Sequence, residues 1–391
     1  MNTPTRPADM NALPRPADTD TRMRLQDVSR GYQSSVVLLT ACHLGVFDAL
    51  GDNSRAAAGP AQAPADLAAA LRLDSRAAVG PARTPADLAA ALRLDSRAAA
   101  GAAQTPADLA AALRLDPRGL EIVLLALASD GFLEKDGEGF RLGKDYAPYL
   151  LSGGAQTQAS ILRHNYNCMR RWCRLEEVLR TGQPAPREDE GPEEMRAFIC
   201  GMADISRLSS AEVADKLDLS PYRRMLDVGG GPGTAAIEFA RRNPALRCVV
   251  FDLEGPIGIA REEIRKADLA DRVETRVGDY FRDDLGEGFD LVYVSNIIHS
   301  MGPADTRMLF GKSHRALVPG GTLIVKDFFL EDDRITPNTA ALFSVNMLVG
   351  TDEGRCYTLS ETREMLAEIG FTDFRAIEVA AASRLLIARK T

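Results

Sequence analysis

Residues 225–233, with the sequence MLDVGGGPG, decide the fold predicted for this chain. A short apolar strand leads into glycines at alternate positions, and residues 234–242 then have the pattern of a helix. A second apolar strand, CVVF at 248–251, ends in Asp252. A strand, a glycine loop, a helix and a second strand that ends in an acid are typical of a nucleotide-binding βαβ unit. The glycines allow the backbone to approach a ligand closely.

The spacing of the glycines bears on the kind of ligand. Dinucleotide-binding folds carry G-x-G-x-x-G, whereas Gly229, Gly231 and Gly233 give G-x-G-x-G with Thr234 next. This pattern favours a ligand without a pyrophosphate, such as S-adenosylmethionine (SAM), over NAD. Asp252 is placed to accept hydrogen bonds from two ribose hydroxyls.

Two later strands add polar groups at the same edge of the predicted sheet. Strand 273–277 is followed by Asp279 and Tyr280, an acid that can bind an adenine amino group and a ring that can pack on the base. A plain turn is the alternative for Asp279. Strand 289–294 leads to His299, beyond the carboxyl end where ligands of open α/β sheets bind. A neutral imidazole there can remove a proton from a hydroxyl near physiological pH.

The other three histidines are weaker candidates. His43 lies on an apolar helix and His314 in the middle of a surface helix, and both are expected to be structural. His164 lies on a helix before the glycine loop and is a candidate for lining a pocket.

The chain is expected to have two domains and a tail. Residues 1–22 are predicted to be disordered because they are rich in Pro, Thr, Asp and Arg. Residues 23–185 read as a mainly helical domain in which a helix precedes a hairpin at Asp136-Gly137, the winged-helix order. Residues 1–120 contain no Lys, so a structural or dimerising use of this motif is expected rather than DNA binding. An acidic linker then leads into the SAM-binding domain, residues 186–391.

A tandem repeat of period 21 occupies residues 64–126 of the first domain. The sequence PADLAAALRLD begins at Pro64, Pro85 and Pro106. We expect the copy at Pro106 to fill the winged-helix position, because it leads directly into the next helix. Deletion of residues 64–105 is therefore expected to leave folding and SAM binding intact.

The composition excludes several classes of protein. The 391 residues carry a formal net charge of −8, which argues against a nucleic-acid partner. No apolar run reaches the ~18 residues of a membrane span, and no basic segment followed by an apolar one marks a secretory signal, so a cytoplasmic protein without a membrane partner is expected. Only Cys168 and Cys173 are close among six scattered cysteines, which predicts no metal site.

Five motifs in this order resemble one family: LDVGGGPG at 226–233, FDL at 251–253, GDYF at 278–281, NIIHS at 296–300 and ALVPGG at 316–321. The chain is similar, over about residues 23–391, to the SAM-dependent O-methyltransferases of the caffeate and hydroxyindole type. Their bacterial relatives act on polyketide and other natural-product phenols. The resemblance implies an α/β, Rossmann-like class I methyltransferase domain with a mostly parallel seven-stranded sheet. A helical winged-helix dimerisation domain would precede it, in a homodimer with a small phenolic or polyketide acceptor.

The resemblance also implies roles for individual residues. The general base would be His299, with Asp327 standing at a position where the family has an acid that braces it. The residues expected to hold SAM are Gly229 and Gly231 at its methionine end, Asp252 at the ribose, and Asp279 and Tyr280 at the adenine. Those expected to pack around the ring of the acceptor are Met202 and Met347.

Two positions depart from the family pattern. Ser300 follows the histidine where an Asp is usual, and Cys356 stands where a second bracing Glu is frequent. His299 would then be less firmly oriented or less basic. Two other functions stay open at this point: a SAM-binding enzyme that hydroxylates or decarboxylates, and a winged-helix regulator that senses SAM.

Overall fold

The computed structural model describes residues 16–51, 103–154, 156–186, 191–379 and 383–391. Contacts between Cα atoms divide the chain into two compact units, residues 1–147 and 148–391. The first two copies of the repeat lie outside the described residues. Among those that are described, no helix combines the length and the apolar character needed to cross a bilayer.

The first unit consists of helices and one hairpin. Its helices are α1 (Pro16–Arg30), α2 (Tyr32–His43), α3 (Val46–Gly51), α4 (Pro106–Leu113) and α5 (Pro117–Ser129), and its strands are β1 (Leu133–Asp136) and β2 (Gly139–Leu142). Because α1 begins at Pro16, residues 16–22 are helical, and the prediction that they belong to a disordered tail is wrong. Proline is favoured at the first position of a helix, where no partner for its missing N–H is needed.

The third copy of the repeat supplies α4. Thr105 caps it by accepting a hydrogen bond from the backbone N–H of Asp108 (3.2 Å), and Asp116 caps α5 in the same way through Gly119 N–H (2.6 Å). The side chain of Leu109 is fully buried. The predicted hairpin is confirmed: β1 and β2 pair antiparallel, and Gly137 takes φ +60° in the turn.

The second unit is built on a seven-stranded sheet. Its strands are β3 (Arg224–Val228), β4 (Arg247–Asp252), β5 (Val273–Val277), β6 (Phe289–Ser295), β7 (Leu317–Asp327), β8 (Phe371–Glu378) and β9 (Arg384–Lys390). Their order is β5-β4-β3-β6-β7-β9-β8, parallel from β5 to β7 and antiparallel at the β7–β9 and β9–β8 pairs. The predicted mostly parallel sheet is confirmed.

Helices cover this sheet, as parallel strands require. The helices of the unit are α7 (Ala159–Trp172), α8 (Leu175–Thr181), α9 (Pro192–Lys216), α10 (Thr234–Arg242), α11 (Glu254–Lys266), α12 (Pro303–Ala316), α13 (Asn338–Gly350) and α14 (Leu359–Ile369), preceded along the chain by the short helix α6 (Ala147–Leu150). Those that pack directly on strands include α10, α11, α12 and α14. A 3₁₀ turn, Ile298–Ser300, carries His299.

The expected domain boundary at residue 185 lies inside this second unit. Helix α7 precedes that boundary, yet it packs closely on α9: a Cβ at Gly201 would lie 3.1 Å from the Cα of Ile161. Trp172, at the end of α7, donates a hydrogen bond to Asn346 of α13 (2.9 Å). These contacts place α7 with the sheet domain, because tertiary packing rather than linker composition determines which unit a helix joins.

Candidate active site

The glycine loop between β3 and α10 is shaped by left-handed backbone. Gly229, Gly231 and Gly233 have φ of +63°, +55° and +76°, values that residues with a Cβ rarely adopt. A Cβ at Gly229 would lie 2.5 Å from Cδ1 of Ile297, so this glycine is also needed for packing. At Gly231 no atom of the described residues other than its chain neighbours lies within 4 Å of the Cβ position, so a ligand can approach the backbone there.

Asp252, at the end of β4, is fixed beside this loop. Its carboxylate accepts hydrogen bonds from the backbone N–H groups of Gly231 (2.8 Å) and Leu253 (2.7 Å). Burial raises the pKa of Asp252, and these two hydrogen bonds act in the opposite direction. The acid predicted to hold a ribose therefore stands next to the open position at Gly231.

Asp227 is a further acid at this site that the sequence prediction left out. It is buried within β3, and a Cβ at Gly230 would fall 2.7 Å from its Cγ, so the carboxyl lies directly under the loop. Its Oδ2 is buried without a hydrogen-bond partner in the part of the chain described. Burial, together with the charge of Asp252, raises the pKa of Asp227 to about 7. The sequence did contain a signal for this residue, because Asp227 is an acid inside the apolar strand that precedes the glycines.

Asp279 and Tyr280 occupy the loop after β5. The Oδ1 of Asp279 accepts a hydrogen bond from Phe281 N–H (2.9 Å), so this side chain does organise a turn, as the alternative interpretation had it. The ring of Tyr280 would lie 3.7 Å from a Cβ at Gly229, which places it against the glycine loop. Burial raises the pKa of Tyr280 to about 12, with nearby acids contributing, so the phenol stays neutral.

His299 and Asp327 form a close pair at the ends of β6 and β7. The Nδ1 of His299 lies 2.6 Å from Oδ1 of Asp327, and their side chains are 12% and 2% exposed. The carboxylate is fixed in turn by the backbone N–H of Phe328, which donates to the same oxygen (2.8 Å). Neighbouring parallel strands β6 and β7 thus bring together two residues that are 28 positions apart.

Aromatic rings surround the imidazole. Phe343 of α13 packs edge-on against it with centroids 4.9 Å apart, and Phe328 lies 6.2 Å away. Met347 is buried one turn after Phe343 on α13. Met202 is half-buried on α9, a different element, and its part in an acceptor site stays a prediction.

The two departures from the family pattern have different local explanations. The hydroxyl of Ser300 donates to the carbonyl of Ile297 (2.7 Å) and so closes the 3₁₀ turn. Cys356 is buried, and its burial raises the pKa of the thiol to about 11, so it is neutral. Asp327 is therefore the acid paired with His299, and Cys356 adds no charge.

His164 lies on α7 beside the ring of Phe198 (5.0 Å), and its Nε2 is 3.3 Å from the sulfur of Cys168. Burial, aided by the charge of Arg171, lowers its pKa to about 4, so the ring is neutral. A pocket role for His164 stays a prediction.

The arrangement joins two chemical functions at one edge of the sheet. The glycine loop, Asp252 and Tyr280 form a surface that fits a nucleoside, and the Ile297 that packs on Gly229 lies two residues before His299. An imidazole held by a carboxylate beside such a surface has the chemistry to remove a proton from a group that reacts with a bound nucleoside.

Comparisons with known proteins show which family the chain resembles. A family model described as an O-methyltransferase domain matches residues 184–372. The chain is 34% identical to 3-hydroxy-5-methyl-1-naphthoate 3-O-methyltransferase of Streptomyces sahachiroi, over 68% of this chain and 79% of that protein. It is 32% identical to the tetracenomycin polyketide synthesis 8-O-methyl transferase TcmO of Streptomyces glaucescens, over 70% of this chain and 83% of that one.

A solved structure extends the likeness to nearly the whole chain. Human N-acetylserotonin methyltransferase in complex with SAM has a TM-score of 0.72 at 25% identity, and the match covers 97% of this chain and 99% of that one. The chain therefore belongs to the SAM-dependent O-methyltransferases.

Proposed function

We propose that this protein transfers a methyl group from SAM to a hydroxyl of a small aromatic acceptor, with His299 as the general base. One observation carries the proposal: the His299–Asp327 pair, 2.6 Å apart, stands at the same sheet edge as the glycine loop. Asp327 is the residue that orients the base.

The residues of the glycine loop fit SAM. The backbone at Gly231 is open to a ligand, and Asp252 stands beside it as a carboxylate for ribose hydroxyls. The three glycines omit the spacing of a pyrophosphate site. Tyr280 offers a neutral aromatic ring beside Gly229 for the adenine, and Asp279 lies next to it. When bound, SAM supplies an electrophilic methyl group on a sulfonium that is already a good leaving group.

The pairing of His299 determines how it acts. Its Nδ1 faces the carboxylate of Asp327, so Nδ1 carries the proton and Nε2 is the nitrogen that accepts one. As the acceptor oxygen attacks, Nε2 takes its proton, and the buried carboxylate stabilises the imidazolium that forms. Base catalysis of this kind contributes ~10²–10⁴-fold, and the positioning of the two substrates contributes the rest.

Substitution of the base tests this role. His299→Ala is expected to lower kcat by about 10²–10⁴-fold while the affinity for S-adenosylhomocysteine (SAH) stays unchanged, because His299 is not in the glycine loop. Asp327→Asn, which keeps the shape of the acid, should lower kcat as well. An unchanged kcat in the His299→Ala variant would show that His299 is not the general base.

The rings around His299 favour a flat aromatic acceptor. Phe328 and Phe343 pack on each other with centroids 4.5 Å apart and both face the imidazole. Two relatives are named for a naphthoate and for tetracenomycin polyketide synthesis, and we extend this acceptor class, phenols and polyketides, to the present chain. Incubation of such phenols with methyl-labelled SAM should give labelled products by mass spectrometry. A modified product without label would instead indicate hydroxylation or decarboxylation.

A homodimer formed through the first unit is part of the proposal. Leu25, Val28 and Tyr32 lie three and four residues apart along α1 and the start of α2, and they are 71%, 73% and 62% exposed. An apolar stripe of this kind favours a second copy of the chain as its cover. Light scattering should give twice the chain mass, and Val28→Glu should reduce it. A wild-type monomer would contradict the dimer.

A further inference from the structure

Lys312, on α12, donates all its hydrogen bonds to one loop, residues 278–283 after β5, which we call the Tyr280 loop. Its ammonium donates hydrogen bonds to the backbone carbonyls of Tyr280 (2.7 Å), Phe281 (3.1 Å) and Asp283 (2.8 Å). An ammonium has three N–H groups, so this one is fully engaged. Hydrogen bonds from a charged donor are about twice as strong as neutral ones, so the three together hold the loop firmly.

The rest of this loop is held by acids that bind N–H groups. Asp279 accepts from the N–H of Phe281 (2.9 Å), and Asp283 accepts from the N–H of Asp279 (2.8 Å). Acid side chains thus accept from two N–H groups of the loop, and Lys312 binds three of its carbonyls. The carbonyl of Asp279 accepts in turn from the backbone N–H groups of Arg282 (3.0 Å) and Asp283 (2.7 Å). The segment belongs to no helix or strand, so these turn and side-chain hydrogen bonds take the place of a regular hydrogen-bond ladder.

The position of the loop sets the position of the Tyr280 ring. That ring lies against Gly229, and the charge of Asp252 contributes to the raised pKa of its phenol. The strand before the loop is fixed closely, since a Cβ at Gly278 would clash with the ring of Phe251. Lys312 binds the turn beyond Gly278, which lies outside this strand.

We propose that Lys312 is a positioning residue for the cofactor: it sets the affinity for SAM by holding the Tyr280 loop, without touching SAM itself. The inference rests on the SAM site proposed above. It assigns a role in binding to a side chain on the helix that starts directly after the 3₁₀ turn of His299.

The test compares Lys312→Met with Lys266→Met. Lys266 lies on the surface of α11, where its ammonium pairs only with Glu263 among the contacts described (2.7 Å), so its loss controls for removal of one charge. Titration calorimetry with SAH should show about a tenfold weaker affinity for Lys312→Met, which equals ~1.4 kcal/mol, and no change for Lys266→Met. At saturating SAM, kcat should stay within about twofold of wild type, because the base is untouched.

A second variant separates positioning from general weakening. In Lys312→Ala the partly exposed ammonium site can admit a small amine, so added ethylammonium should restore SAH affinity. A loss of melting temperature in Lys312→Met without a change in SAH affinity would overturn the proposal, as would a fall in kcat as large as the rise in KM for SAM. Wild-type protein that fails to bind SAH would instead overturn the SAM site itself.

Discussion

One hydrogen bond decides which nitrogen of His299 can act as a base. The bond from Nδ1 to Asp327 (2.6 Å) leaves Nε2 to receive a proton. The family resemblance pointed to this pair, and the structure brings the two side chains together at the ends of neighbouring parallel strands. The neutral state of Cys356 and the role of Ser300 in the turn were not predictable, since they depend on burial and on local turn geometry.

Asp227 shows what residue types alone leave out. Its place in the apolar strand before the glycines marks it as buried, but only the structure reveals that its Oδ2 has no hydrogen-bond partner among the described residues and that a second acid, Asp252, is near. Burial of a charge is costly, and the nearby charge of Asp252 adds to this cost, so the neutral form is favoured although the backbone of Ala236 acts in the opposite direction. This is why the pKa of Asp227 rises to about 7 instead of staying in its usual range.

The raised pKa of Asp227 predicts a pH dependence of stability. An unfolded Asp loses its proton near pH ~4, whereas the folded protein keeps it up to about 7. Between these values the unfolded state binds fewer protons, so the stability of the wild type falls as pH rises. The asparagine in Asp227→Asn does not titrate, so the variant lacks this loss of stability. The melting temperature of the variant relative to wild type should therefore rise from about pH 5 to about pH 8, by an amount equivalent to ~1 kcal/mol or more in the free energy of unfolding. The measurement is thermal unfolding without SAM, and a flat difference across this range would refute the assignment.

At the level of elements, the strands were easier to predict than the helices. Strands such as β4 and β6 are apolar runs that end at polar residues, and their order along the chain fixes the βαβ topology. The assignment of α7 was not predictable, because the acidic linker after it resembles a domain boundary. Its contacts with α9 and α13 place it in the sheet domain.

The contact between α7 and α13 predicts an effect on the acceptor. Trp172 donates a hydrogen bond to Asn346, which lies about one turn after Phe343 and directly before Met347 on α13. Loss of the bond in Trp172→Phe or Asn346→Ala should loosen this helix and raise KM for the acceptor severalfold, with SAH affinity unchanged. A double-mutant cycle of Trp172→Phe and Asn346→Ala should give a coupling energy of ~1 kcal/mol in the free energy of unfolding, the net contribution of one hydrogen bond.

A matched control comes from the same helix. Leu342 is 50% exposed, so Leu342→Ala should change neither KM nor stability. Additive effects of the two substitutions in the cycle would mean that the bond does not couple the helices. Equal weakening of SAH and acceptor binding would point to general destabilisation instead.

On the scale of the whole molecule, the two units differ in how far the sequence could describe them. The sheet unit follows from an ordered set of motifs. In the first unit, the hairpin and the caps of α4 and α5 were predictable from turn and capping residues, whereas the helix at Pro16 was not, because few apolar residues mark its start. The repeat adds length but no group that the proposed chemistry uses.

Two deletions test whether the first two copies of the repeat are dispensable. Deletion of 64–105 joins Ala63 to Pro106, and deletion of 61–102 joins Pro60 to Ala103; both remove two 21-residue periods. The two products differ at one position, the residue before Pro106, which is Ala63 in the first and Thr105 in the second. Gln104 donates a hydrogen bond from its amide to the carbonyl of Ala49 (2.6 Å), and in the first product Gln62 stands at the same place in the sequence. Both should fold and bind SAH.

The difference between the two deletion products isolates the cap of α4. Thr105 accepts the N–H of Asp108, and an alanine at this position leaves that donor without its partner. The product that keeps Thr105 should therefore be more stable by ~1 kcal/mol, measured by thermal or denaturant unfolding. Equal stability would show that the cap contributes nothing at this site. If the product of the 61–102 deletion is insoluble or does not bind SAH, the first two copies of the repeat are needed. The third copy alone would then not be sufficient for the fold of the first unit.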